Sequence, residues 1–333
     1  MSSFQHQQSA HCESGVLASL LTHAGLPMSE PMAFGLASGL AFAYLPIVKI
    51  GGMPLIAYRM PPRHLIKTLS KRLGARMHSR TFGDQEQGRR ALDELLDAGR
   101  LAGLQSSVFW LPYFPPEMRF HFNAHNLLAY GREGNEYLIS DPVFETPMRC
   151  AAEDLHKARF AKGALAAKGL MYWFDEVPQE QDWSRLVRQS VLSTTRILDG
   201  MPLPWIGIRG IQHLARRIAG LDPAQAKYNR LYLTHIVRMQ EEIGTGGAGF
   251  RFMYASFLQE AGELLGEDSL QEASRSLTDI GDDWRQFASA CVRASRSKGE
   301  QPDFVGIAAS LDAIAGRERV LMRELGAWSR RRG

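Results

Sequence analysis

The stretch SAHCESGVLASLLTHAG, residues 9–25, decides how the chain is read. Val16, Leu17, Leu20 and Leu21 recur at helical spacing, which predicts a helix over 12–24 that stops at Gly25 and Pro27. A polar, extended segment runs into that helix at Cys12. A thiol at a helix N-terminus faces backbone N–H groups that lack intrahelical partners, and it faces the positive end of the helix dipole. Both favour the thiolate, the reactive form. The plainer reading of the same residue is a small buried hydrophobe.

Working outward, Ser29 followed by Glu30 and Pro31 opens a second helix, because serine caps well and proline is tolerated in the first turn. A short strand is expected over 54–58, and amphipathic helices over 64–73 and 87–97. Strand-like runs follow at 104–111, 126–131, 137–140 and 171–174. The turn REGNE (132–136) joins two of them as a hairpin with Gly134 and Asn135 at its tip. Helices first and an antiparallel sheet afterwards predict an α+β domain. From about Pro178 the chain reads as helical. Trp183, Leu186, Val187, Val191, Ile197 and Leu198 make one apolar face, and Tyr232, His235, Ile236 and Met239 another. Further helical patterns run over 253–265, 270–294 and 305–325. The expected division is therefore a 1–177 α+β domain and a 178–333 all-helical domain.

The bulk properties narrow the function classes. The 333 residues suffice for two cores, and 45% hydrophobic with 22% charged residues is ordinary for a globular protein. The net charge of +4 is spread along the chain, so no nucleic-acid footprint is expected. Only Arg330, Arg331 and Arg332 form a basic run, which reads as a solvated end. The cysteines Cys12, Cys150 and Cys291 are odd in number and widely spaced, which argues against a disulfide framework and a CxxC metal site. The N-terminus lacks a basic patch followed by an apolar stretch, and the apolar run 34–48 is too short to span a bilayer. A cytoplasmic location is the expectation.

A nucleophilic cysteine needs a base and usually a group that orients the base. His125 heads HNLLAYG (125–131) and Asp141 sits in LISDPVF (138–144), on neighbouring strands of the predicted hairpin. That placement suits a Cys12–His125–Asp141 triad. The competing readings are a hydrogen-bonded core histidine and a turn-initiating aspartate before Pro142.

The segment HCESGVLASLLTHAGLPMSEPMAFGLASGLAFAY (11–44), with HNLLAYG and LISDP, resembles the N-terminal domain of the butirosin biosynthesis protein H (BtrH) family, of papain-like fold. GTGGAGFRFMYASFLQEA (244–261) and DDWRQFA (282–288) resemble the helical C-terminal domain that accompanies it, so the similarity covers most of the chain. The founding member moves an aminoacyl group from an acyl carrier protein onto an aminoglycoside amine. The resemblance implies that Cys12 takes an acyl group from a phosphopantetheine thioester, that His125 deprotonates an amine or hydroxyl acceptor, and that Asp141 fixes the imidazole tautomer. It implies an acyl carrier protein as partner and no bound cofactor beyond the donor's acyl-phosphopantetheine. One departure concerns the oxyanion hole: papain-like enzymes commonly place a glutamine six residues before the cysteine, where this chain has His6. Gln7, Gln8, the Cys12 backbone N–H and the neighbouring His11 are the candidates.

Other features carry two readings each. His121 and His125 lie four residues apart in extended chain, roughly 13 Å of strand, too far to share a zinc; no metal is expected. The GTGGAG run (244–249) is either a tight helix–helix turn or a cradle for the pantetheine phosphate, through Gly246, Gly247 and Arg251. Tyr254, Phe257, Trp284 and Trp328 read as core. The run WLPYFPPEMRF (110–120) is either plain packing or a loop lining the acyl pocket with Trp110, Tyr113 and Phe114. The leading expectation is a carrier-protein-dependent acyltransferase, against a cysteine hydrolase on the same triad and a non-catalytic binding protein of the same fold. The helical domain is expected to cap the site, dock the carrier or form a homodimer.

Overall fold

A computed structural model of the chain describes residues 4–297 and 302–331. Arg332 of the C-terminal basic run lies outside the described residues. In chain order the elements are α1 (Cys12–His23), α2 (Glu30–Leu36), β1 (Leu40–Ile50), β2 (Met53–Arg59), α3 (His64–Leu73), β3 (Arg76–Arg80), α4 (Gln85–Asp97), β4 (Ala102–Ser106), β5 (His125–Glu133), β6 (Glu136–Ser140), β7 (Met148–Ala151), α5 (Ala152–Arg159) and β8 (Met171–Glu176). The helices α6 (Trp183–Thr195), α7 (Gly207–Ala219), α8 (Ala226–Val237), α9 (Arg251–Leu265), α10 (Asp268–Arg296) and α11 (Phe304–Arg330) complete the chain.

The chain divides into two compact units. The first comprises the residues up to Ala33 and Leu65–Gln181. Its centre is a six-stranded antiparallel sheet in the order β3-β8-β4-β5-β6-β7. The β5–β6 hairpin turns through Gly134 and Asn135, with Gly134 at φ +58°, the conformation such a tight turn requires of its first central residue. The core gathers Leu104, Leu127 and Ala129 from the sheet with Leu92 of α4 and Leu155 of α5. The strand expected over 104–111 ends at Ser106. Val108, Leu111 and Phe114 are buried at three-residue spacing, a pattern that the 3-10 turn over Val108–Trp110 begins and an extended strand cannot supply.

The second unit comprises Phe34–His64 and Asp182–Gly333. The expected single cut at 177/178 is corrected in one respect: the β1–β2 hairpin belongs with the helices. Gly51 and Gly52, both at positive φ, make its two-residue turn. Ile56 and Tyr58 alternate with partly buried neighbours along β2. Their face packs into the helical core, where Phe42 meets Tyr58 edge-on at 5.2 Å and Tyr58 meets Trp284 of α10 at 5.7 Å. The Tyr232 hydroxyl of α8 donates to that of Tyr44 at 2.9 Å. Gly35 has no room for a side chain, since a Cβ there would stand 2.0 Å from the Phe257 ring. Tyr254, Phe257, Trp284 and Trp328 are buried, as a helical core requires. Among the described residues no helix is long and apolar enough to cross a membrane.

Candidate active site

The first unit brings Cys12, His125 and Asp141 together. Cys12 is the first residue of α1, where the extended chain at His11 (φ −132°, ψ 130°) turns into the helix. His125 opens β5 and lies opposite Ser106 of β4. Asp141 follows β6 directly. His125 Nε2 donates to Asp141 Oδ2 at 2.7 Å, with His125 4% and Asp141 0% exposed. The His125 side chain also hydrogen-bonds that of Cys12. Burial would hold the imidazole neutral, but the Asp141 charge, its hydrogen bond and the bond with Cys12 outweigh burial and raise the His125 pKa to about 10.

Asp141 has two further donors. The Tyr113 hydroxyl donates to the same Oδ2 at 3.0 Å, and the Val143 N–H donates to Oδ1 at 3.1 Å. Burial and the neighbouring carboxylate push the Tyr113 phenol well above its ordinary range, so it stays a donor. Phe114 stands perpendicular to the His125 ring at 5.5 Å. This corrects the pocket expectation for the 110–120 loop. Phe114 is buried and Tyr113 is committed to Asp141, so the two back the His–Asp pair, while Trp110 is 41% exposed.

The oxyanion candidates sit in different surroundings. His6 is fixed at both ring nitrogens, 2.7 Å from Ser140 Oγ and 2.9 Å from the Phe144 carbonyl. Gln7 is exposed. Gln8 donates to the Val143 carbonyl at 3.2 Å. His11 caps α1: its Nδ1 lies 2.9 Å from Ser14 Oγ and accepts from the Ser14 N–H. The backbone N–H groups at the head of α1 lie beside Cys12 in the chain.

The segment leading to Cys12 is held on two sides. Ser9 N–H donates to the Pro142 carbonyl at 2.9 Å, beside Asp141. On the other side Glu30, first residue of α2, accepts from Ala10 N at 2.8 Å, His11 N at 2.7 Å and Ser14 Oγ at 2.9 Å. Burial pushes the Glu30 carboxyl up, and those three donors pull the other way. Glu13, next to Cys12, is fully buried and accepts from the Ile66 N–H of α3 at 3.5 Å. Sequence reasoning read Glu30 only as a helix-opening residue. Its position in the SEPM block is the one signal that could have raised its importance.

The glycine-rich loop in the second unit does not form a phosphate cradle. Gly247 N–H donates to Thr245 Oγ1 at 3.1 Å, and Ala248 N–H donates to both Glu241 oxygens at 3.2 Å. A carboxylate thus already holds the turn that an anion would need. Arg251 is fully buried and its guanidinium engages both Glu318 oxygens, at 2.8 and 3.1 Å, so it does not reach out beside Gly246 and Gly247. His121 stacks on Phe109 at 4.0 Å, apart from the role of His125.

A family model described as butirosin biosynthesis protein H, N-terminal, matches residues 11–142. A second, described as a domain of unknown function (DUF4872), matches residues 153–325, more than half of the chain. The chain belongs to the DUF4872 family, and its first half is similar to the N-terminal domain of butirosin biosynthesis protein H. Among solved structures, it is similar to a candidate C39-like peptidase from Bacillus anthracis at 15% identity and a TM-score of 0.37, over 54% of this chain and 98% of that one. No curated protein sequence matches it.

Proposed function

We propose that the protein is an acyltransferase that carries its acyl group on Cys12. The observation behind this reading is the buried His125–Asp141 pair, hydrogen-bonded to a cysteine at a helix N-terminus. With Nε2 held by Asp141, Nδ1 is the ring nitrogen that serves Cys12. The thiol proton passes to His125, and the Cys12 sulfur attacks the carbonyl of a phosphopantetheine thioester presented by an acyl carrier protein. The carrier thiolate leaves with the proton from the imidazolium, and acyl-Cys12 remains. An amine or hydroxyl then attacks that carbonyl while His125 takes its proton, the C–S bond breaks, and the product departs with the Cys12 thiolate restored. Exchange between thioesters is nearly thermoneutral, so positioning and oxyanion stabilisation are the main demands. The carrier, the acyl donor and an intracellular biosynthetic setting come to this reading from the BtrH likeness.

Hydrolysis is the second reading, because water could replace the acceptor on the same acyl-Cys12. Acyl-pantetheine turnover with and without a panel of amines separates the two. Amide product formed in preference to free acid supports transfer. Free acid alone, unaffected by any amine, contradicts it.

A further inference from the structure

We infer that Glu30 is a positioning residue for the nucleophile, fixing the point at which the chain turns into α1. The inference rests on Cys12 being the nucleophile. Three donors converge on this one carboxylate. The Ala10 N–H bonds Oε2, while the His11 N–H and the Ser14 hydroxyl bond Oε1. These groups flank Cys12 on both sides in sequence, so the carboxylate straddles the residue whose sulfur must meet His125.

Glu30 is well founded for the task. Ser29 caps α2 by accepting from the Met32 N–H at 3.1 Å, which holds the first turn that carries Glu30. Ser14 is tied to the His11 ring as well, its N–H donating to Nδ1. The opposite flank is tied to the aspartate turn through Ser9 and Pro142, and Gly15 leaves no space there, a Cβ meeting Ser9 at 2.5 Å and Pro142 at 3.2 Å. The Cys12 backbone is thereby referenced on one side to the turn that holds Asp141 and on the other to Glu30. Without the carboxylate, two backbone N–H groups and a hydroxyl lose their acceptor, and the segment is free to shift relative to His125. A misplacement near 1 Å can cost about 100-fold in a reaction of this kind.

The test is the alkylation rate of Cys12 by iodoacetamide, followed by peptide mass analysis on folded protein, with buried Cys150 and Cys291 as internal controls. Amide hydrogen exchange at Ala10 and His11 is read in parallel. Glu30→Ala is expected to slow Cys12 alkylation by about 10- to 100-fold and to speed exchange at both amides while global unfolding stays cooperative. Glu30→Gln, with one acceptor oxygen of similar placement, is expected to recover part of the rate, a rescue that a merely structural role would not link to thiol reactivity. It also decides the matter if the alanine variant does not fold. A fast wild-type Cys12 that stays equally fast in Glu30→Ala, or in Glu30→Gln where the alanine variant does not fold, overturns the role of Glu30 and leaves the nucleophile standing. A wild-type Cys12 no faster than the two controls overturns both.

Discussion

Two buried ion pairs among the described residues, one in each unit, are built for different ends. In the second unit Arg251 and Glu318 meet at 2.8 Å with 0% and 1% of their side chains exposed. Trp284 Nε1 donates to Glu318 at 2.7 Å, the Gly249 carbonyl accepts from Arg251, and the guanidinium lies 4.8 Å from the Trp284 ring. The pair is closed within aromatic walls. In the first unit His125 and Asp141 meet at 2.7 Å with similar burial, but the cation is an imidazole whose other neighbour is a thiol. An imidazole can exchange a proton with a neighbouring thiol and a guanidinium cannot. Burial alone therefore does not mark a site. What marks one is a titratable partner with a nucleophile on its far side.

The comparison can be broken by removing one member of each pair. His125→Ala is expected to lower thioester turnover by about 10³-fold or more. It should also cost stability, since the buried Asp141 loses its cation and keeps only Tyr113 and Val143 as donors. Glu318→Ala should cost stability alone. It strands a buried guanidinium and is expected to cost about 3–5 kcal/mol in urea unfolding, while Cys12 in the folded fraction alkylates as in wild type. Slowed Cys12 alkylation in folded Glu318→Ala would erase the distinction.

pH sharpens it further. The His125 pKa is raised from an ordinary 6.5 to about 10. A raised cation pKa contributes stability that is fully present below pH 6.5 and is lost as the pH climbs toward about 10. The stability gap between wild type and His125→Gln should shrink over that window in denaturant titrations at a series of pH values. A gap that is constant or grows across it would contradict the charged pair. The smallest effect is expected from Tyr113→Phe, which deletes one of the three donors to Asp141 and keeps the ring. A loss of about 1.5–3 kcal/mol for a hydrogen bond to a charged group, shared between stability and kcat, is the outcome to measure.

How much of this was legible in the sequence depended on range. The helix after Cys12, the REGNE turn and the helical run after 178 are written in local periodicity, and the turn sets His125 and Asp141 on neighbouring strands, while the link to Cys12 came from the BtrH resemblance. The partners of Asp141 and of the Cys12 segment are not local. Tyr113 lies 28 residues from Asp141, and Glu30 reaches back 20 residues to Ala10. No spacing rule links them. The home of the β1–β2 hairpin was hidden for the same reason, and of its two strands only the second, over 54–58, was read from the sequence. Arg251 shows the opposite failure. Beside a glycine-rich loop it looked like an anion ligand, and only the arrival of Glu318, 67 residues later, gives it a buried carboxylate.

The most direct measurement is intact-mass spectrometry of wild type and Cys12→Ala after mixing with carrier-bound and small acyl thioesters. The account predicts an acyl adduct on wild type, mapped to Cys12, and none on the variant. Adducts on both proteins, or thioesters left unconsumed by wild type, would contradict it.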